Sequence, residues 1–443
     1  MSKQLIFMIV TMAYFSLRSF ADPFWAVLLY YGLAVFRPQY IWEWALPQGI
    51  RWSLIAAIVA VVTLFLNIPI LRKRHVSRTF MLTLTLFGGC LLGSYIFAIN
   101  RQIAAEVGWE YAKVFIMLFL ASYIIREKWH IKYLGWMIFL CLIYLVYEVN
   151  SLYIFSNHRL DIYNNGYGGL DNNGAGLMLA MVIPFCFHFF LAERNWWRWG
   201  YFICMLPAIH AVMLTYSRGA MLSTVLAIFG MAVMGARKRV VQTMFVIIIL
   251  GGATLFLAGP QVRNRFLSIK KGEGDVSAKS RLYSWKAGWE IAKDYPLFGA
   301  GIRNANLLTK MYGADMYGRT IHNVYIQIAA DSGIAAGVLY VWLIIYSIWQ
   351  LWCAGHRTRD ALDDPEERWF HYICLASMWS LSIFAMGAMF LSFETFELSY
   401  LLMLIGAIAP CIIAAEEQKT PTETDPPDKT KVRTRVSTGG LLT

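Results

Sequence analysis

The sequence predicts an all-α integral membrane protein of about twelve transmembrane helices, with one large periplasmic loop that carries short helices of its own. Three observations predict it. Of 443 residues, 58% are hydrophobic and 15% charged, where a soluble chain carries about 25% charged residues. The apolar residues come in long blocks, as helical spans do, and the alternating segments of about ten residues that would build a β-barrel are absent. Basic clusters punctuate the blocks in a pattern that assigns them alternating directions.

The blocks fall near 5–17, 24–36, 53–70, 79–98, 112–125, 133–155, 174–192, 200–216, 219–235, 240–259, 323–352, 370–393 and 398–415. The first two are about 13 residues each, short of the ~20 needed to cross. They read as one broken span or a shallow hairpin; the broken reading, with a cytoplasmic start, gives twelve spans. No small-residue cleavage pattern follows residues 4–16, so no cleavable signal peptide is expected. LRKRH (71–75), REKWHIK (126–132), ERNWWR (193–198), ARKR (236–239), HRTR (356–359) and KVRTR (431–435) are the basic clusters. The positive-inside rule puts them in the cytoplasm. Residues 99–111, 156–173, 217–218, 260–322 and 394–397 then share the other face, the periplasm of a bacterium. The expected organisation is an N-terminal helical region (1–199), a core with the long loop (200–352), C-terminal helices (353–415) and a polar cytoplasmic tail (416–443) with too little apolar residue to fold.

All seven cysteines lie within or beside apolar runs, so they read as small buried hydrophobes, with no disulfide framework or CxxC metal site. The net charge is +12. The basic residues are scattered over short loops, which makes nucleic acid a poor partner.

Topology does not explain the charge of the loop 260–322. It holds eleven Lys/Arg against five acids, on the side where positive charge is disfavoured. An anionic ligand would account for the excess. Within it, residues 280–294 read as an amphipathic helix with Leu282, Trp285, Trp289 and Ala292 on its apolar face, Ser280 as N-cap and Tyr295-Pro296 just past its end. Arg281 then stands at the helix N-terminus, where free N–H groups suit an anion. The alternative is an interfacial helix on lipid headgroups, with Arg281 solvated.

His322 stands where the loop re-enters the membrane, and Asp331 lies nine residues on, inside the next apolar run. An acid within a span points to a cavity or a charge partner. Arg218 is the candidate partner. It is the single Lys, Arg, Asp or Glu in the 36 residues Gly200–Gly235. A cation in hydrocarbon costs about 2.5–3.5 kcal/mol; a span junction with Arg218 snorkelling is the other explanation. Asn172 and Asn173 begin the run 174–192, as helix caps or as donors to a sugar.

If Arg218, Arg281 and His322 meet, the chemistry is restricted. Two guanidinium forks match the oxygens of a diphosphate, and an imidazole suits general-base work. No carboxylate cluster for Mg²⁺ or Ca²⁺, no nucleotide cradle, no HExxH and no nucleophile elbow is present. A lipid-linked diphosphate meets these conditions. It needs no nucleotide, because the diphosphate is already a leaving group.

SRGA (217–220), RLYSW (281–285), PLFGAG (296–301) and HN (322–323), in that order, resemble the carboxyl-terminal pattern of the bacterial O-antigen ligase and polymerase family over roughly residues 200–345. LDNNGAGLMLAMVIP (170–184) is similar to the subset described as O-glycosylation ligases. The resemblance implies a metal-independent, inverting membrane glycosyltransferase of GT-C-like fold in the bacterial inner membrane, without a cofactor. It would pass a glycan from undecaprenyl diphosphate to the hydroxyl of a glycan, lipid or protein acceptor. It implies that Arg218, Arg281 and His322 are catalytic, with the two arginines binding the donor diphosphate; Arg265, Asn323, Asp331 and Asn173 are further candidates for binding substrate, and Asp331 would orient His322 or balance Arg218. The family often has Glu where this chain has Asp331. A polymerase joining lipid-linked repeat units is the alternative within the same chemistry; a flippase of lipid-linked glycan is the alternative outside it.

Overall fold

The computed structural model describes residues 2–67, 75–155, 160–235, 252 and 276–418. Among them the fold is helical, with a single isolated bridge, Tyr167 to Leu170. Six helical segments are long and apolar enough to cross a membrane, and this is a multi-pass membrane protein. The predicted run 240–259, the clusters 71–74 and 236–239, the loop up to residue 275 with Arg265, and the tail from residue 419 lie outside the described residues.

The first two apolar runs are two helices, not one broken span: α1 (Lys3–Ser19) and α2 (Phe24–Phe36). Phe15 meets Trp25 at 5.9 Å between ring centroids, Phe7 meets Trp42 at 5.9 Å, and Ser2 Oγ donates to the Ala45 carbonyl. The pair is therefore an antiparallel hairpin that turns at residues 20–23. Its turn is held by Asp22, which accepts the Phe24 N–H at 2.9 Å and faces His130 at 3.7 Å. Pro23 ahead of α2 supplies a fixed φ where no helical N–H is needed.

The chain then runs through α3 (Trp52–Leu66), α4 (Arg78–Ile96), α5 (Arg101–Ile124) and α6 (Lys128–Phe155). The span 172–192 is two helices, α7 (Asn172–Ala180) and α8 (Ile183–Ala192). Pro184 cannot donate to Ala180, and the helix breaks there. α9 (Arg198–Leu214) and α10 (Arg218–Gly235) follow. The predicted run 323–352 is also divided, into α13 (Val324–Ser332) and α14 (Ile334–Arg357), after α11 (Val276–Asp294) and the one-turn α12 (Ala305–Leu308). α15 (Pro365–Gly387) and α16 (Glu397–Glu417) close the bundle.

Polar contacts fix the two ends. At one end Lys128 pairs with Glu367 and Glu416, Arg194 with Asp363 at 3.0 Å, and Arg368 Nε with the Ala192 carbonyl at 2.8 Å. At the other end Ile99 N–H reaches the Ala300 carbonyl, Asn100 N–H reaches Asn304, Ser217 reaches Asn173, Arg303 reaches Glu394 and His322 reaches Ser392. The sequence assigned these two groups of connections to opposite faces.

The described part of the loop folds on a core of its own. Ile291, Ala292, Ala300, Ala305, Ile321, Ala329 and Ala330 are buried together, with Trp285 and Ile326 against them. Of the predicted apolar face of α11, Ala292 and Trp285 pack into this core, but Leu282 and Trp289 do not. Ser284, Ala287, Gly288 and Ile291 are buried, whereas Leu282 is 59% and Trp289 45% exposed. Small residues, Ser284, Ala287 and Gly288, stand in the buried stripe because α13 lies close: a Cβ on Gly288 would meet Ile326 Cγ2 at 2.9 Å.

Candidate functional site

Four segments meet around His322. The first is the start of α7. Asp171, not Asn172 or Asn173, caps this helix, accepting the Gly174 N–H at 2.8 Å. Asn172 donates to the Thr215 carbonyl, and Asn173 Oδ1 accepts from Ser217 Oγ at 3.0 Å. Both asparagines thus tie α7 to the start of α10. Gly176 permits the approach, since a Cβ there would lie 2.6 Å from Thr215 Oγ1.

The second is the start of α10 itself. Tyr216 turns through φ 55°, Ser217 Oγ accepts the Ala220 N–H at 3.3 Å, and Arg218 is the first helical residue. Its neighbour Gly219 sits against Phe390, 3.0 Å from where a Cβ would be. The Phe390 ring stacks toward Trp285 at 6.1 Å, and Trp285 Nε1 donates to the His322 carbonyl at 3.3 Å. Arg218 is thereby carried to the same end of the bundle as His322, on a helix start packed into this cluster.

The third is α11. It begins at Val276, so Arg281 is in its second turn and not at its N-terminus, and the helix-dipole argument for Arg281 does not hold. Ser280 caps nothing: its hydroxyl is taken by Asp315. Arg281 nevertheless faces His322 closely enough to perturb it. Arg281, Arg218 and His322 are all half-buried.

The fourth is the loop end at residues 321–323. His322 holds φ 54°, the left-handed region that a β-carbon disfavours. Burial pushes its pKa down from the usual 6.5 to about 4, reinforced by the Arg281 and Arg319 charges and opposed by Asp171. At neutral pH it is an uncharged imidazole beside guanidinium groups. Among the described residues no side chain hydrogen-bonds its ring.

Two predicted substrate contacts have other work. Asn323 is 5% exposed and caps α13, its Oδ1 accepting the Tyr325 and Ile326 N–H groups at 3.1 Å each. Asp331 is 5% exposed. Its Oδ1 accepts the Ala305 N–H at 2.9 Å and its Oδ2 the Gln327 amide at 2.7 Å. It therefore neither pairs with Arg218 nor touches His322, because both oxygens are consumed by the fold of the loop.

The sequence did not point to Arg303, Ser392 or Gln327. Arg303 Nη1 donates to both Glu394 oxygens at 2.9 Å, and its φ is 61°. All four described non-glycine residues with positive φ, Arg37, Tyr216, Arg303 and His322, lie at this end of the bundle, and the last three belong to the segments around His322. Strained backbone of this kind concentrates at functional sites. Glu394 was visible as a polar residue in a connection, but its partner was not. Among the described residues no three His, Cys, Asp or Glu side chains come together as a metal-ligating group.

Residues 202–341 match a family model described as O-Antigen ligase. The chain contains an O-antigen ligase domain. That domain runs from α9 into α14 and holds Arg218, Arg281 and His322. The start of α7 and the segment 390–394 lie outside it and complete the surroundings of His322. No curated protein matches the chain. The match supports glycan transfer of the O-antigen ligase and polymerase type in general, in a membrane setting.

Proposed function

We propose that the protein transfers a glycan from undecaprenyl diphosphate to an acceptor hydroxyl at the periplasmic face of a bacterial inner membrane. The observation that carries this reading is a half-buried, neutral His322 beside Arg281, with the α10 start bearing Arg218 packed into the same cluster, all within the O-antigen ligase domain. The acceptor O–H gives its proton to an imidazole nitrogen of His322. The acceptor oxygen attacks the anomeric carbon, the bond from that carbon to the phosphate oxygen breaks, and the diphosphate leaves with the electron pair. Arg218 and Arg281 neutralise it as it departs. Direct displacement inverts the anomeric carbon. Asn173, half-buried at the start of α7, lies where the glycan would pass.

The face assignment is supported by the paired basic residues Lys128, Arg194 and Arg368 at the opposite end, which the positive-inside rule puts in the cytoplasm. The test is transfer by purified protein from a lipid-diphosphate-linked glycan. His322→Ala should retain donor binding and lose turnover by about 10²–10⁴-fold. Full turnover in that variant would end the assignment.

A further inference from the structure

A general base is usually aimed by a carboxylate or carbonyl that hydrogen-bonds its second ring nitrogen. His322 has no such partner among the described residues, and Asp331, the acid nine residues on, is engaged by the Ala305 N–H and the Gln327 amide. Something else must fix the direction of its ring. The hydrogen bonds that do reach His322 go to its main chain. Its N–H donates to Ser392 Oγ at 2.9 Å, and its carbonyl accepts from Trp285 Nε1 at 3.3 Å. Ser392 Oγ donates in turn to Gln327 Oε1 at 3.4 Å, and that oxygen also accepts the Ile321 N–H at 3.3 Å. Gln327 is held by Asp331, one helical turn on along α13. Gln327 is fully buried and Asp331 nearly so.

We propose that Gln327 and Ser392 are positioning residues, which hold His322 in its left-handed turn and so aim an imidazole that no side chain among the described residues hydrogen-bonds. This rests on the proposed role of His322 as base. The physical need is specific. At φ 54° a non-glycine residue relaxes toward ordinary backbone unless its peptide groups are pinned. A swing of that peptide moves the ring by an ångström or more, and a misplacement of about 1 Å costs on the order of 10²-fold in rate. Ser392 pins the His322 N–H, and Gln327 pins the preceding N–H and the Ser392 hydroxyl together. Asp331 sets the orientation of the Gln327 amide: with Nε2 on the carboxylate, Oε1 must face the loop.

The network acts on geometry, not on charge, so it leaves a distinct kinetic signature. Ser392→Ala and Gln327→Ala should each lower kcat by about 10–100-fold, leave donor KM within about twofold, and leave the acid limb of the pH profile where the wild-type protein has it. Ser392→Thr keeps the hydroxyl and should recover most of kcat. A role in stability alone would lower the amount of folded protein and its melting temperature without changing kcat per folded molecule, so folded protein is counted in each preparation. Wild-type kcat in folded Ser392→Ala and Gln327→Ala, with His322→Ala inactive, overturns the positioning role alone. An active His322→Ala overturns the base assignment, and the positioning role with it.

Discussion

An imidazole with a pKa near 4 is unprotonated throughout the neutral range, and this sets the pH dependence of the proposed reaction. As pH falls through about 4 the base is protonated and turnover is lost. The acid limb of kcat/KM should therefore lie well below the usual histidine value of about 6.5, and a limb near that value would contradict the burial seen here. Arg281 is the second cause of the depression, after burial. Arg281→Ala should move the acid limb upward and slow turnover by about 10²–10³-fold. Arg281→Lys should return the limb toward its wild-type position without restoring the rate, because an ammonium lacks the planar fork. At this scale the sequence told part of the story. Arg218 stood out as a lone charge in an apolar run, and Arg281 and His322 by their places in the basic loop and at its end. The Ala305 contact of Asp331 and the left-handed backbone at His322 were not legible, because they depend on residues 26 and 70 positions away.

Among the elements, the turn at residues 296–301 and the break between α13 and α14 form one unit. The Ile334 N–H donates to the Pro296 carbonyl at 3.0 Å, Ala300 N–H to Ala330 at 2.9 Å, and Gly301 N–H to Asp331 at 3.0 Å. Gly299 and Gly333 make this approach possible. A Cβ on Gly299 would lie 2.2 Å from the Asp331 carbonyl carbon, and one on Gly333 2.2 Å from the Leu297 oxygen. Both have positive φ. Gly333→Ala should destabilise by at least about 1–3 kcal/mol and lower the melting temperature, whereas Gly313→Ala, which meets nothing within 4 Å although its φ is 91°, should cost less. Equal melting temperatures for the two variants would contradict the packing argument. Proline and glycine marked this turn in the sequence. What they pack against was hidden, as was the buried face of α11, where apolar spacing favoured Leu282 and Trp289 and close approach chose Ser284, Ala287 and Gly288 instead.

Across the whole molecule, the loop core and the spanning helices are joined by the Arg303–Glu394 pair, with Glu394 8% exposed and Arg303 27%. Removing one member of a buried pair costs about 3–5 kcal/mol, and partial exposure of Arg303 puts Glu394→Gln at or below the lower end. Limited proteolysis should then cut within residues 295–320 sooner in the variant; unchanged cleavage would show that the pair does not hold the loop down. The membrane class was legible from the length of the apolar blocks. The N-terminal arrangement was not, because two 13-residue runs are too short to declare whether they cross singly or together.

The hairpin of α1 and α2 has a consequence for how the chain sits in its bilayer. Ser2 lies beside Ala45, at the far end of α2 from Asp22 and His130, while Glu416 meets Lys128 at the near end. Start and finish are therefore on opposite sides, and the number of crossings between them is odd. An impermeant thiol reagent added to intact cells should reach a cysteine placed at Ser2 and miss one placed at Gln418.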